Sequence, residues 1–498
     1  MEERPVKKEK SETLIDKMRE EDISYFNNRE FKRILRSYED ALQQSRPIYM
    51  DADDLTDIAE YYMVNSQEEK ANEAIGLAVS LHPDSVDPQV FLSRQEMFHD
   101  NMERAHEICN AIPDQDDREV KFLRAELLIR EQRNAEALEI LKTACESEKE
   151  EQDHFMYDTI GIFMDYMLYD YADSWCRKLK KTNPQYKGLP ELEAEIKMCL
   201  GDYETAIRLL NEILDIDSYN IQAWNMLAES HFSKGSFEEA IDACQFALAI
   251  NEEDFRATAT LADCYYHTAN YTKAHRFFQK ALQSRQDDVL YHMDAVCLYQ
   301  MGEYEKAMEQ LENAGNIIGD DQEKQIYIAM QQATVASKLH RLDDALSYLK
   351  TVKSLIREKR ALLDYEVLYG QVMLENGFPE KAKAHFETAF SKCEDSEKTA
   401  LVIGIAYYEH EYYQDAANIL SRLAEIPDSI TANFALPYLA LCYRHLEDRE
   451  LYLKYLLLAT KNCTDLTAQL FEEYFPGVKA EDLYFYAFKD AYGYFPKE

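Results

Sequence analysis

The strongest constraint in this sequence is a residue pattern that returns about every 34 positions. Its clearest copy spans residues 221–254 and carries small or apolar side chains at repeat positions 4, 7, 8, 15, 17, 20, 27 and 28. These residues are Trp224, Leu227, Ala228, Gly235, Phe237, Ala240, Ala247 and Leu248. A period of this length is typical of repeat architectures, in which each copy forms one supersecondary unit. The fold must therefore be built by stacking such copies.

The spacing within one copy predicts two antiparallel helices, a first helix A and a second helix B. Small residues at positions 8 and 20, here Ala228 and Ala240, let the two helices approach closely, and Gly235 permits a tight turn between them. Leu227 and Phe237 fill the space around that turn. One copy cannot bury its own apolar faces, so neighbouring copies are expected to complete the core.

The same frame covers residues 52–466 in about twelve repeats. The well-matched repeats are 187–220, 221–254, 255–287, 288–325, 326–362 and 363–396, and the degenerate ones are 52–85, 86–117, 118–154, 155–186, 397–432 and 433–466. The sequence thus predicts five segments along the chain. They are an N-terminal helical cap or degenerate repeat at 1–51, degenerate repeats at 52–186, well-matched repeats at 187–396, degenerate repeats at 397–466 and an aromatic-rich C-terminal helical cap at 467–498.

These spacings resemble those of the tetratricopeptide repeat family. The resemblance implies an all-α fold, an α-solenoid wound as a right-handed superhelix from about twelve helix-turn-helix repeats with helical caps. It also implies a concave groove lined by helix A, mainly at repeat positions 2, 5, 9, 12 and 13, in which the protein binds protein or peptide partners. A scaffold or adaptor is the function that follows from this resemblance.

Composition limits the class of protein and of partner. Glycine and proline are frequent in the turns between strands and in long loops, but they number only 13 and 12 among 498 residues. This scarcity favours a mostly helical chain. Acidic residues outnumber basic ones 94 to 55, and the net charge of -39 disfavours nucleic acid as a partner. Much of that charge is expected to keep a long helical surface in solution.

The sequence also indicates a compartment. Residues 1–10 are charged and precede no apolar run, so we expect no secretory signal, and no apolar run approaches the ~20 residues of a membrane span. Ten cysteines are scattered singly without a C-x-x-C pair, which is typical of reduced core thiols. A cytoplasmic protein is the expectation.

No motif for catalysis, a cofactor or a metal stands out. The sequence lacks a phosphate loop, a dinucleotide fingerprint, an H-E-x-x-H pair and a G-x-S-x-G elbow. The best metal-like pair is His106 with Cys109, but Cys109 falls at core position 24, which Cys244 shares, so a buried small side chain is the better interpretation. We therefore expect no enzyme and no cofactor.

Applying the family's groove positions to three central repeats gives candidate partner-binding residues. They are Gln222, Asn225, Glu229, Phe232, Arg256, Asp263, Tyr266, His267, His292, Tyr299 and Gln300. Aromatic anchors next to amides and carboxylates suit an extended peptide or a helix, although an ordinary hydrated surface would also carry such a mixture.

One subtype of the family holds a C-terminal carboxylate with Lys at position 5 and Asn at position 9. This chain has no such pair: the residues at these positions are Glu191 and Glu195, Asn225 and Glu229, Ala259 and Asp263, and Val367 and Gln371 in four repeats. Acidic groups in the groove instead favour basic or amphipathic segments, with an affinity that salt should weaken.

Other functions remain open at this stage. A regulator that changes its superhelical pitch on binding a peptide or other ligand would use the same repeats, and an enzyme site assembled between repeats would leave no linear motif. The tail contains ten aromatic residues: Phe471, Tyr474, Phe475, Tyr484, Phe485, Tyr486, Phe488, Tyr492, Tyr494 and Phe495. They form either a lid on the last repeat or an exposed patch for self-association or a partner.

Overall fold

The computed structural model describes residues 25–44, 46–65, 67–357, 359–392, 396–427 and 429–492. Within these ranges the chain is all-α, with 27 helices and no strand. It divides into two compact units, Met1–Ser236 and Phe237–Glu498. In each unit antiparallel helix pairs follow one another along the chain, so the predicted all-α solenoid is confirmed.

The helices of the first unit are α1 Arg29–Gln43, α2 Ala52–Val64, α3 Glu68–Leu81, α4 Val86–Phe98, α5 Met102–Ala111, α6 Arg118–Arg130, α7 Asn134–Ser147, α8 Gln152–Asp165, α9 Tyr169–Thr182, α10 Leu189–Cys199, α11 Tyr203–Ile216 and α12 Ile221–Lys234. Those of the second unit are α13 Phe237–Ile250, α14 Phe255–His267, α15 Tyr271–Ser284, α16 Asp288–Gln300, α17 Tyr304–Ile317, α18 Gln322–Lys338, α19 Leu342–Leu355, α20 Lys359–Glu375, α21 Pro379–Lys392, α22 Ser396–Glu409, α23 Tyr413–Ala424, α24 Ile430–His445, α25 Arg449–Asn462, α26 Thr464–Phe471 and α27 Ala480–Ala491.

The pair α14 and α15 shows why the sequence pattern produces two closely packed helices. Ala262 at position 8 and Ala274 at position 20 are both fully buried. Phe278 on α15 is also fully buried, and Leu261 on α14 is 1% exposed. Side chains without bulk at the two alanine positions let the helix axes approach, and the larger side chains then fill the remaining space.

The turn between helix A and helix B contains one left-handed residue in eleven repeats, and this residue is at repeat position 15 except in repeat 155–186, where Met167 is at position 13. Glycine occupies it in four, Gly201, Gly235, Gly302 and Gly377, with φ between 75° and 81°. In the other seven it is Asp100, Gln132, Met167, Ala269, His340, Glu411 or Glu447, with φ between 55° and 67°. In the repeat 52–85 this position is residue 66, which lies outside the described residues. The turn therefore belongs to the repeat even where no glycine marks it.

Each unit has its own apolar core. In the first unit, Phe122 of α6 stacks on Phe155 of α8 with ring centroids 4.7 Å apart, so successive helices A are in contact. In the second unit, a continuous core extends from Ala295 to Ala487 and includes residues from every repeat between them. This continuity is expected when stacked neighbours complete one another's cores.

The flanking segments are helical as well. Helix α1 buries Phe31, Leu35 and Tyr38 against the first repeat. At the other end, Phe471 is fully buried and Leu483 and Ala487 of α27 are buried with it. Residues 1–24 and the tail aromatics Tyr494 and Phe495 lie outside the described residues.

The cysteines depart in part from the expectation of core thiols. Seven of the nine in the described ranges are buried, among them Cys109 and Cys244 at position 24. Cys199, however, is exposed, because it is the last residue of the short helix α10. Cys463 is half-buried at the end of α25, and Cys393 lies outside the described residues. The nine described cysteines are free thiols.

Candidate functional site

Side-chain caps fix where the helices A that carry the candidate residues begin. The Asn220 side chain accepts a hydrogen bond from the Ala223 amide at 2.9 Å, and the Asp254 carboxylate accepts one from the Ala257 amide at 2.8 Å. These caps satisfy amides that the first helical turn leaves without partners. Because each cap fixes the start of its helix, it also fixes which residues share a face.

The first unit carries four candidates, all on α12. Gln222, Asn225, Glu229 and Phe232 are separated by three, four and three residues, so they lie along one side of the helix. Asn225 is buried, and the other three are half-buried. The structure therefore brings these four residues onto one face of one helix.

The second unit carries the other seven candidates, on α14 and α16. Asp263, Tyr266, His292 and Tyr299 are half-buried, whereas Arg256, His267 and Gln300 are exposed. Asp263 and Tyr266 lie one turn apart on α14, and His292 and Tyr299 lie two turns apart on α16. The two helices belong to successive repeats.

Position 13 of helix A contacts the preceding repeat. The ring of His267 stacks on Phe237, the first residue of α13, with centroids 4.9 Å apart and planes 7° apart. His445 stacks in the same way on Tyr413, at 4.2 Å and 2°. Each of these two histidine rings therefore packs against the preceding repeat. The groove pattern did not predict this role for His267.

Asp263 is a half-buried carboxylate, and no partner in the described ranges offsets the desolvation of its charge. Burial alone raises its pKa to about 6. Within the described ranges no hydrogen bond or ion pair to its side chain is found. Ionised carboxylates are rarely half-buried without a partner, since desolvation favours the neutral acid. Asp263 therefore has unused capacity to bind a cation.

Other buried carboxylates in the second unit have partners. Asp294 is fully buried, lies 2.5 Å from Nδ1 of His275 and accepts a hydrogen bond from Gln279 at 2.7 Å. Glu366 lies 2.7 Å from Nδ1 of His385. These pairs are the usual arrangement of carboxylates inside a fold, which makes the solitary Asp263 an exception.

The first unit also pairs the charged side chains at helix A position 9. Arg94 on α4 donates to both carboxylate oxygens of Glu126 on α6, with Nη2 to Oε1 at 2.7 Å and Nε to Oε2 at 3.2 Å. Glu126 is 7% exposed. Asp263 occupies the same repeat position in the second unit, yet among the residues that the structure describes no arginine or lysine lies against it.

Tyr266 lies one helical turn after Asp263 and near further aromatic residues. Burial raises the pKa of Tyr266, and the nearby Tyr271, Cys297 and Tyr327 raise it further. Burial, Asp294 and Asp263 together raise the pKa of the Cys297 thiol to about 12, which places Asp263 close to α16. We call Asp263, Tyr266, His292 and Tyr327 the Asp263 patch.

His292 and Tyr327 form the second half of the Asp263 patch. Their rings meet edge to face at 4.9 Å, and Tyr327 is 49% exposed. Nε2 of His292 is buried and has no hydrogen-bond partner among the described residues, and burial lowers the pKa of this imidazole. The patch thus combines an unpaired carboxylate, a neutral imidazole with an unused ring nitrogen and two tyrosine rings.

Tyr327 and a charged cluster further along the unit were not among the residues that the groove pattern predicted. Tyr327 occupies position 2 of the repeat 326–362, so extending the frame by one repeat would have found it. Position 13 of the same repeat is Lys338, which donates to Glu375 at 2.8 Å, and Nδ1 of His410 lies 3.5 Å from the same oxygen. Burial raises the pKa of Tyr299 and of Glu409 beside this cluster.

The arrangement has no recognisable metal site. In the part of the chain that the structure describes, no group of three or more His, Cys, Asp and Glu side chains could hold a metal ion. His106 contacts Oε1 of Glu131 at 2.7 Å, and burial raises the pKa of the Cys109 thiol. Over the same residues no helix is both long and apolar enough to cross a membrane.

Comparison with known proteins identifies the repeat. Two family models, each described as tetratricopeptide repeat, match residues 192–254 and 231–293. Among solved structures, yeast Tom70 is similar at 16% identity, with 88% of this chain and 96% of that chain covered and a TM-score of 0.42. A tetratricopeptide repeat protein from Parabacteroides merdae is similar at 17% identity, over 51% of this chain and 98% of that chain, with a TM-score of 0.39.

Proposed function

Because this chain belongs to the tetratricopeptide repeat proteins, we propose that it is a non-catalytic scaffold that binds a basic segment of a protein partner at the Asp263 patch. Repeats of this kind are in general protein-interaction scaffolds. We assign the groove-pattern residues to partners in each unit by itself: the four on α12 in the first unit, and the seven on α14 and α16 in the second. Nucleic acid is a poor ligand for a chain of net charge -39.

The observation that carries the proposal is the solitary carboxylate of Asp263. Burial raises its pKa to about 6, and among the described residues no cation lies close enough to offset the cost of desolvating the ionised carboxylate. A lysine or arginine side chain from a partner would supply the missing charge and would make a charge-assisted hydrogen bond. The cost of desolvating Asp263 is already met in the free fold, which favours binding.

The tyrosines give this cation a suitable environment. A lysine ammonium or arginine guanidinium is attracted to the face of an aromatic ring; Tyr266 lies one helical turn after Asp263, and Tyr327 lies near Tyr266. The aliphatic stem of the same side chain can pack on these rings while its charged end meets Asp263. The patch therefore favours lysine and arginine over a simple inorganic cation.

A defined probe tests this proposal. A fluorescein-labelled, capped hexapeptide of alternating lysine and leucine should bind the protein at pH 7.5, and Asp263→Asn should weaken binding at least fivefold. The same peptide with glutamate in place of lysine should not bind. The matched control is Glu309→Gln, which removes an exposed carboxylate from helix B of the next repeat and should leave affinity unchanged.

The pH dependence separates Asp263 from general attraction to an acidic surface. Affinity of the unmodified protein should rise between pH 5 and pH 7, because Asp263 loses its proton in this window and only the ionised form pairs with lysine. Asp263→Asn should lose most of that rise. Equal affinities and equal pH profiles for the two proteins would refute the assignment of Asp263.

We also infer a cytoplasmic location. The nine described cysteines are all free, and seven of them are buried, which is expected of thiols kept in a reducing compartment. Immunofluorescence or fractionation of the full chain in its native cell tests this location. Recovery of the protein only in an oxidising compartment would contradict it.

A further inference from the structure

The last helix has two apolar faces. One face of α27 is inward, where Leu483 and Ala487 are buried in the core of the second unit. On the opposite side lie Phe485 and Phe488 of α27 and Tyr492, the residue that follows the helix, and these are 55%, 41% and 49% exposed. A helix at the surface of a fold normally has one apolar face and one polar face, so the outer stripe needs a separate explanation.

The stripe has the geometry of a helix-packing surface. Phe485, Phe488 and Tyr492 are spaced i, i+3 and i+7, which aligns them along about two turns of helix. The rings of Phe488 and Tyr492 are in contact, with centroids 4.7 Å apart. Ridges of this spacing fit into the grooves of another helix, and the same spacing anchors amphipathic helices in recognition grooves.

The helix that presents the stripe is held firmly. Leu483 and Ala487 anchor it to the core, and Asp490 on its inner side pairs with Arg444 of α24 at 3.4 Å. Because Leu483 and Ala487 are buried in the core, the stripe on the opposite side of α27 faces the solvent.

The charges around the stripe indicate which kind of partner would bind there. Glu481 lies one turn before Phe485 on the same stripe, and Asp482 is exposed beside it. The ring of Phe485 already has a cation over it, since Nζ of Lys489 lies 4.2 Å from its centroid. The whole chain carries a net charge of -39, so a second copy would be repelled, whereas a basic helix would be attracted.

From this juxtaposition we propose that Phe485, Phe488 and Tyr492 form a second docking site, which takes an amphipathic helix with lysine or arginine on its polar face from a protein partner. The site is separate from the Asp263 patch and does not depend on it. Leucine-sized side chains of the partner helix pack on the three rings, and its basic residues meet Glu481 and Asp482. The protein then holds two partner segments at different places on the second unit.

A helical model peptide is the probe for this site. We use an 18-residue, fluorescein-labelled peptide with leucine and lysine in amphipathic helical order, and a counterpart with glutamate in place of lysine. The combined variant Phe485→Ser, Phe488→Ser and Tyr492→Ser should weaken the tightest binding of the leucine–lysine peptide at least tenfold. The three side chains are exposed, so the variant should keep its circular dichroism and its unfolding midpoint.

Two controls make the comparison specific. Ile216→Ser with Tyr219→Ser removes apolar side chains that are 90% and 77% exposed in the first unit, and it should leave that affinity unchanged. Asp263→Asn should leave it unchanged too, so failure of this proposal is distinguishable from failure of the Asp263 patch. Binding should also persist better in 0.5 M salt than binding of the lysine–leucine hexapeptide, because the rings contribute apolar contact.

Several results would overturn the proposal. One is equal affinity of the serine variant, the control variant and the unmodified protein. Another is equally tight binding of the leucine–glutamate peptide. A dimer in sedimentation equilibrium that the serine variant abolishes would make a second copy the occupant. A large gain in peptide affinity on removal of residues 493–498 would make that segment the occupant instead.

Discussion

Ala269 and Gly302 occupy the same turn position in successive repeats, and both have a positive φ, 56° and 75°. A left-handed conformation costs an L-residue about 1–2 kcal/mol, a cost from which glycine is exempt. Glycine would relieve this strain at position 269, but its greater conformational entropy in the unfolded chain would offset part of the gain. We therefore expect Ala269→Gly to raise the free energy of unfolding by about 0.5–1 kcal/mol. Urea unfolding followed by circular dichroism measures this change.

The reverse substitution is the matched control. Gly302→Ala should lower the free energy of unfolding by a similar ~0.5–1 kcal/mol. No heavy atom lies within 4 Å of a Cβ placed at Gly302, so backbone strain is the sole cause of the expected loss. Equal stabilities for both variants and the unmodified protein would show that this turn carries no strain.

Gly370 and Phe386 impose a different requirement for glycine. Gly370 stands at position 8 of its repeat, where the repeat pattern usually places alanine, and it is buried. A Cβ at this position would meet the Phe386 ring, 2.7 Å from Cδ1. Gly370→Ala should therefore cost about 1–3 kcal/mol through overpacking, although alanine is the better helix former.

A second substitution identifies steric overlap as the cause. Phe386→Leu makes room near the helix, so the double variant Gly370→Ala with Phe386→Leu should lose less stability than the sum of the two single variants. A double-mutant cycle measures this coupling. Additive losses would mean that the ring and the new methyl group do not meet.

The unpaired charge of Asp263 should lower the stability of the fold at neutral pH, although the same charge favours binding of a basic segment. Burial raises its pKa to about 6, against about 3.9 for the unfolded chain, so the folded protein binds more protons between these values. Wild-type stability should fall as pH rises from 4 to 6 on account of this group. Asp263→Asn should then be more stable than the unmodified protein at pH 7.5, on the order of 1 kcal/mol, with little difference at pH 4. Urea unfolding at both pH values, with Glu309→Gln as control, tests the sign.

Lys338 should stabilise the second unit through Glu375. The ion pair is partly buried at 2.8 Å, and burial raises the pKa of the neighbouring Glu409 while Lys338 lowers it. Lys338→Met would leave the half-buried Glu375 and the neighbouring Glu409 without this cation, at a cost of about 1–2 kcal/mol at pH 8. The loss should be smaller in the Glu375→Gln background. An equal loss in both backgrounds would show that the ion pair does not stabilise the fold.

The repeat frame predicted the helix pairs well because small residues at positions 8 and 20 are a packing requirement. It could not predict the turn geometry of the repeats that have no glycine at the turn, which include the well-matched repeats 255–287 and 326–362. Only four repeats mark their left-handed residue with glycine, while Asp100, Ala269 and five other residues adopt the same conformation under the constraint of the packed helices. Local sequence does not dictate a conformation that tertiary packing imposes.

The candidate site was predictable only as a set of positions. Asp263 and Tyr266 were found by the groove pattern, but that Asp263 lacks a counterion depends on which side chains the neighbouring repeats bring close. His267 also fitted the pattern, yet its ring stacks on Phe237. The assignment of these positions to partner binding stays a prediction.

The aromatic tail gave two alternatives, and the structure contains features of both. Phe471 and Leu483 lie in the core as a lid requires, while Phe485 and Tyr492 are about half exposed as a patch requires. A count of aromatic residues could not separate these groups. Their helical spacing could have done so, because Leu483 and Phe485 fall on opposite sides of one helix.

Hydrogen–deuterium exchange of the full chain with the lysine–leucine hexapeptide tests most directly whether a basic segment binds at the Asp263 patch. We expect slower amide exchange in α14, α16 and α18, which carry the patch, and unchanged exchange in α15 and α17, the helices B between them. Asp263→Asn should abolish this protection. Protection confined to α15 and α17, or identical protection in the Asp263→Asn variant, would contradict the account.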